Sequence, residues 1–146
     1  MSYTKTNWQN KPNQSTPINA ANLNHIEDGI SNTYPVILYD NDEGSSSTIT
    51  LSDNVSNYNF IEIYYFKDLN QIVSSKIYNP NGKAATLGSV TFYANSIFLR
   101  AAIVDINETT ITWRTSDSGW GTVSTSGNTI SKEQVFKICQ VIGYKY

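Results

Sequence analysis

The chain has 146 residues, with 10 basic and 12 acidic side chains and a formal charge of −2, so it offers no general field for nucleic acid or an anionic membrane surface. A single cysteine, Cys139, excludes an internal disulfide framework and a cysteine-rich zinc site, and a single histidine, His25, excludes a multi-histidine metal centre. No apolar run approaches the ~20 residues of a membrane span, and the polar start has no signal-peptide core. Asn, Ser and Thr number 17, 17 and 15, and Tyr 10, a balance that favours strands wetted by amides and hydroxyls over helices.

Residues 1–16 read as an extended polar arm. Asn7, Asn10, Pro12 and Asn13 discourage regular structure, and Trp8 is the only large apolar group, so Trp8 is expected to dock on a partner. Residues 17–33 read as a helix. Thr16 can cap it, and Pro17 suits the first helical position, where a missing N–H costs nothing. Leu23, Ile26 and Ile30 fall at i, i+3 and i+7 and form one narrow stripe over about two heptads. Such a helix is marginal alone in water and needs a sister helix, its own domain or another protein to cover it. Pro35 ends it.

From Val36 the pattern is β. Strands are predicted at 36–40, 48–51, 58–66, 71–78, 89–93, 96–106, 110–115 and 135–144, with residues 41–47 a polar loop. In 58–66, Phe60, Glu62, Tyr64 and Phe66 face one way and Ile61, Ile63 and Tyr65 the other. Both faces are apolar or aromatic, which places this strand centrally or at an interface. Asn79-Pro80-Asn81-Gly82 is the strongest turn signal. The spacing predicts a mainly β chain: an antiparallel β-sandwich, jelly-roll-like, of eight to ten strands, preceded by an extended arm and one short helix. The domain division is residues 1–34, an attachment arm plus short helix, and residues 35–146, the β-sandwich.

Catalytic chemistry finds little footing. His25 lies on the proposed helix, no Gly-x-Ser-x-Gly elbow exists, and Cys139 reads as a small core residue within a strand. Asp105, Glu108 and Asp117 are the carboxylates that a glycosidase pair would draw on. Asp40, Asp42 and Glu43 are Ca²⁺-type oxygen donors without EF-hand spacing, and read as a solvated loop. The constellation with ligand chemistry is aromatic: Trp113, Arg114, Asp117 and Trp120 around a Ser/Gly-rich loop, suited to stacking a sugar ring and bonding its hydroxyls. The competing reading puts Trp113 in the core. No catalytic residue, metal or cofactor is expected.

The stretch Asn7-Trp8-Gln9-Asn10, followed by Ser15-Thr16-Pro17-Ile18-Asn19-Ala20-Ala21-Asn22-Leu23-Asn24-His25-Ile26-Glu27-Asp28-Gly29-Ile30, resembles the N-terminal segment of tail, baseplate and fibre proteins in phages and prophages of low-GC Gram-positive bacteria. The strand around Tyr58–Tyr65 and the ending Ile138–Lys145 are similar to small β domains of the same proteins. The resemblance implies a non-enzymatic virion structural protein, assembled in the bacterial cytoplasm and acting in host attachment. Trp8, Pro17, Ile18, Asn19, Asn22, Leu23, Ile26, Glu27 and Ile30 would form the attachment or oligomer seam. Its implied partners are itself, as a homotrimer, other virion proteins and a host cell-surface glycan, with no nucleic acid and no membrane. The alternatives are a head-fibre, decoration or adaptor subunit without receptor binding, or a cell-wall carbohydrate-active enzyme.

Overall fold

The computed structural model describes residues 20–68, 71–93, 96–114, 120–124, 130–131 and 136–145. The chain divides into two units, residues 1–34 and residues 35–145. In the first, helix α1 spans Ala20–Ser31. Its last turn is closed locally: Ser31 Oγ donates to the Asp28 carbonyl at 3.0 Å and Thr33 Oγ1 to the Ile30 carbonyl at 2.7 Å. The same two carbonyls also accept the Asn32 and Thr33 N–H groups, at 3.1 and 3.0 Å, so the end of the helix is tied twice, and Pro35 follows.

The second unit is an antiparallel β-sandwich, the fold class expected. In chain order the strands are β1 (Val36–Ser45), β2 (Ile49–Thr50), β3 (Phe60–Asp68), β4 (Gln71–Tyr78), β5 (Lys83–Tyr93), β6 (Ser96–Asn107), β7 (Thr110–Trp113), β8 (Trp120–Ser124), β9 (Ile130–Ser131) and β10 (Lys137–Tyr144). One sheet has four strands in the order β1-β10-β3-β4. The other has six: β5 pairs β6 over its whole length, from Lys83↔Ile106 to Tyr93↔Ser96. A strand has two edges, so β7 and β8 share the remaining edge of β6. Trp113 pairs with Val104 and Trp120 with Ala102, so seven positions of sequence are compressed into two positions of register.

Alternation explains the core. Ile61, Ile63 and Tyr65 of β3, Ile138 and Val141 of β10, Leu87 of β5, Val104 and Ile106 of β6 and Ile111 of β7 point inward and are buried together with Phe136. Tyr65 also joins the sheets: its hydroxyl donates to the Gly88 carbonyl and accepts from the Gly88 N–H, both at 3.0 Å. Lys67 Nζ donates to the Val90 carbonyl at 3.3 Å. Gly88 and Val90 lie on the side of β5 turned away from β6, so these two β3 side chains occupy part of an exposed sheet edge, which blunts edge-to-edge pairing.

A second tie closes the end of the sandwich. The Tyr58 ring lies against Gly143, where an added Cβ would fall 2.5 Å from Tyr58 Cδ1. The Tyr58 hydroxyl donates to Asp53 Oδ2 at 2.9 Å, while Asp53 Oδ1 accepts from the Asn54 N–H and from Asn57 Nδ2. The Tyr58 bond, first, holds the Asp53 carboxyl below its ordinary value. Burial and the same carboxylate push Tyr58 up to about 12.

Three local expectations need correction. Residues 41–47 are not wholly a loop, because β1 continues to Ser45 through a bulge. Strand β5 begins at Lys83, well before residue 89, since its Ala-Ala-Thr-Leu start lacks the β-branched density that marks a strand by composition. The segment 120–131, which composition assigned no strand, carries β8 and β9.

Candidate functional site

Three regions carry the residues that sequence reasoning singled out. On α1, Leu23 is 48% exposed, Ile30 is 51% exposed and Ile26 is half-buried, and no residue of the helix is buried. Asn22 is half-buried and Glu27 exposed on the same helix. The apolar stripe is therefore presented, not consumed. Trp8, Pro17, Ile18 and Asn19 lie outside the described residues.

Of the aromatic constellation, the side chains of Trp113 and Arg114 are described. Trp113 is 9% exposed and packs in the core cluster, so its ring is not a platform for a sugar. Register explains this: Trp113 lies opposite Val104, on the inward face of β6. Arg114 makes a bidentate ion pair with Asp105, Nε to Oδ2 at 2.8 Å and Nη2 to Oδ1 at 2.6 Å. The Arg114 hydrogen bonds hold the Asp105 carboxyl below its ordinary value. That geometry commits both groups to each other and keeps Asp105 ionised, which does not suit a general acid. Asp117 and the side chain of Trp120 lie outside the described residues.

The third region is the outer face of the four-stranded sheet, and here the backbone is irregular in a way that the sequence concealed. Between β1 and β10 the register passes from Asp40↔Gln140 to Ser45↔Ile138, so the four residues 41–44 face the single residue Cys139. Cys139 is itself skipped on its other side, where Ile138 pairs with Tyr65 and Gln140 with Tyr64. A bulge on both strands at one level opens a cleft of about 180 Å³ lined by Asp40, Asn41, Asp42, Tyr64, Phe66, Ile72, Cys139 and Gln140. Bulges of this kind re-aim side chains and interrupt pairing.

The bulge is fixed locally. Asn41 Oδ1 accepts from the Glu43 N–H at 3.1 Å, and Asn41 Nδ2 donates to the Tyr39 hydroxyl at 3.1 Å. Gly44 has φ +67°, and a Cβ there would lie 2.7 Å from Lys137 Cβ and 2.9 Å from Phe66 Cδ2, so only glycine fits. The Cys139 thiol donates to the Tyr64 carbonyl at 3.4 Å. Burial, first, pushes the thiol up, and the charges of Asp40 and Asp42 push it further, which keeps it protonated and unreactive.

Beside the cleft, Glu62 anchors a polar network. It accepts from Ser74 Oγ at 2.8 Å and from the Tyr144 hydroxyl at 3.4 Å. Burial, then a hydrogen bond to Glu62, pushes Tyr64 up to about 12. Phe60 stacks on Tyr144 with ring centres 4.5 Å apart and carries Lys76 Nζ over its other side at 4.5 Å. The two-faced aromatic character of β3 is thus explained: one face is core, and the other is a half-exposed surface flanked by strands on both edges.

Asp40, Asp42 and Glu43 do not form a cation cage; among the described residues no group of three acid, cysteine or histidine side chains is placed to hold a metal ion. Glu108 sits in the β6–β7 turn with φ +49°, its N–H bonded to Asn81 Oδ1. His25 is exposed on α1. No helix among the described residues is long and apolar enough to cross a membrane. No protein-family model matches this chain, and no curated protein matches it.

Proposed function

We propose that the chain is a non-enzymatic structural subunit of a phage-type particle, attached through its N-terminal arm and helix and displaying the β-sandwich. The observation that carries this reading is the contrast within one chain: α1 buries none of its residues yet presents Leu23, Ile26 and Ile30 in one stripe, while the β unit has a closed core of its own. A 12-residue helix with such a stripe is not stable in water unless something covers it. A homotrimeric seam, with docking to a second particle protein, is the covering proposed. The resemblance of residues 7–30 to phage tail, baseplate and fibre proteins supports the same reading.

The test is co-purification. Particles induced from the host are banded by density and probed with an antibody raised against the β unit. The reading expects the protein in the particle band and its loss from that band in Leu23→Asp, with the variant still folded in the lysate. A wild-type protein that never enters the particle band overturns the reading.

A further inference from the structure

The cleft on the outer face of the four-stranded sheet has a chemical bias that nothing in the attachment reading uses. Its floor is apolar and aromatic: Tyr64 and Phe66 are half-buried, and Ile72 is 56% exposed across from Phe66 on β4. Its polar rim is dominated by acceptors, led by the Asp40 and Asp42 carboxylates. Asp40 accepts from Gln140 Nε2 at 3.2 Å through Oδ1, which leaves Oδ2 open. That same bond uses one of the two amide hydrogens of Gln140 and leaves its carbonyl oxygen. The Asp42 carboxylate has neither hydrogen bond nor ion pair among the described residues. Of the donors nearby, the Tyr64 hydroxyl is used on Glu62, the Cys139 thiol on a carbonyl and one of the two Asn41 amide hydrogens on Tyr39, so the rim holds more acceptor capacity and negative charge than donors. Lys137, opposite Phe66 on β10, makes no ion pair with either aspartate.

A ligand that satisfies this rim must bring donors and positive charge, and one that satisfies the floor must bring an apolar stem. We propose that the cleft binds a primary alkylammonium group carried on an apolar stem, the chemistry of a lysine side chain or of a free alkylamine. An ammonium offers three donors and no acceptor, matching Asp40, Asp42 and Gln140, and its stem lies along Phe66 and Ile72. The aromatic walls of Tyr64 and Phe66 favour a cation over a neutral group. At about 180 Å³ the cleft is smaller than a pocket for a whole drug-sized molecule, generally at least ~300 Å³, so it takes a group and not a molecule. The construction of the site agrees with this use: the double bulge, the Asn41 turn and the Gly44 contact hold Asp40 and Asp42 beside the floor, and neither makes an ion pair among the described residues.

The experiment is a titration of the full chain with n-butylammonium and, separately, with n-butanol of the same shape. Binding is read from the NMR signals of the Tyr64 and Phe66 rings and the Ile72 methyl groups. The expected result is saturable, millimolar binding of butylammonium, about tenfold or more tighter than butanol, and weaker as salt is raised. Asp40→Asn and Asp42→Asn should each weaken it about two- to fivefold, the range of a partly exposed ion pair, and the double variant about tenfold. Glu43→Gln, next to the cleft but outside its lining, should bind as wild type. Nα-acetyl-lysine methylamide separates the two sources: binding like butylammonium assigns a protein lysine, and loss of its binding with butylammonium retained assigns a free amine. Equal binding of butanol and butylammonium, an unchanged double variant, or an equal loss in Glu43→Gln overturns the proposal.

Discussion

Helix α1 carries three large apolar residues, Leu23, Ile26 and Ile30, and strand β3 carries six, and the two sets meet opposite fates. Over 12 residues α1 buries none, whereas β3 over 9 residues buries Phe60, Ile61, Ile63 and Tyr65. Each fully buried aliphatic or aromatic side chain contributes about 1.5–3 kcal/mol, so β3 is held by its surroundings while α1 has no comparable support within its described contacts. The difference separates the tasks of the two units. On the proposed reading, the β unit folds by itself and displays a surface, and the helix is stabilised when a partner covers its stripe. A similar contrast recurs inside the β unit. β5 and β6 pair through eleven consecutive positions without a shift, while β1 loses register against β10 twice, after Ile37 and after Asp40. Regular pairing gives framework, and irregular pairing gives the cleft.

The contrast can be broken most forcefully from the core side. Phe136 is fully buried and meets the Tyr65 ring edge-on at 5.2 Å. Phe136→Ala should cost about 3–5 kcal/mol by chemical denaturation, and a loss well under this range would mean that the β unit is not closed on this side chain. Gly143→Ala drives a methyl group into the Tyr58 ring and should cost about 1–3 kcal/mol or more, as overpacking does. Gly44→Ala combines a positive φ with the contacts to Lys137 and Phe66, and should cost about 1–3 kcal/mol. Its effect should be confined to β1 and the cleft, visible as faster amide exchange there and not in β5 or β6.

Smaller effects sharpen the picture through pH. Tyr58, ordinarily near 10.0, is raised to about 12 in the folded protein. The folded state therefore keeps a proton that the unfolded chain gives up, and stability falls as pH rises from about 10 to about 12. Asp53 works in the opposite sense. Its folded value is depressed, so its contribution is present above the ordinary 3.8 and is lost as pH falls through the lower folded value. Tyr58→Phe removes the largest cause of that depression. It should flatten the alkaline slope attributable to Tyr58 and reduce the acid-side loss, read from thermal melts across pH.

Much of this architecture was legible. The inward and outward sets of β3, the turn at Asn79–Gly82, the turn of β6 back into β7 and the stop at Pro35 all follow from local rules of period, turn chemistry and proline sterics. The cleft was not legible, because a bulge leaves almost no compositional mark. Its one trace is that Ile138 and Cys139 are both buried in succession, and a run of apolar residues cannot reveal which of them is the extra one. Cys139, read as core, is indeed buried, and it also lines the outward cleft. Trp113 and Arg114 looked available for a ligand because sequence shows neighbours along the chain and not the partners across the sheet. Val104 opposite Trp113, and Asp105 on the strand beside Arg114, decide both fates.

The central claim is that α1 holds copies together while the β unit folds without it. Sedimentation equilibrium on the full chain, paired with the double variant Leu23→Asp, Ile30→Asp, tests this most directly. Wild type should sediment as a trimer. The variant should be a monomer whose β unit keeps the same near-ultraviolet dichroism and melts within a few degrees, since a charge placed in a desolvated seam disrupts the seam alone. A wild type that stays monomeric at every concentration, or a variant that remains trimeric, contradicts the account.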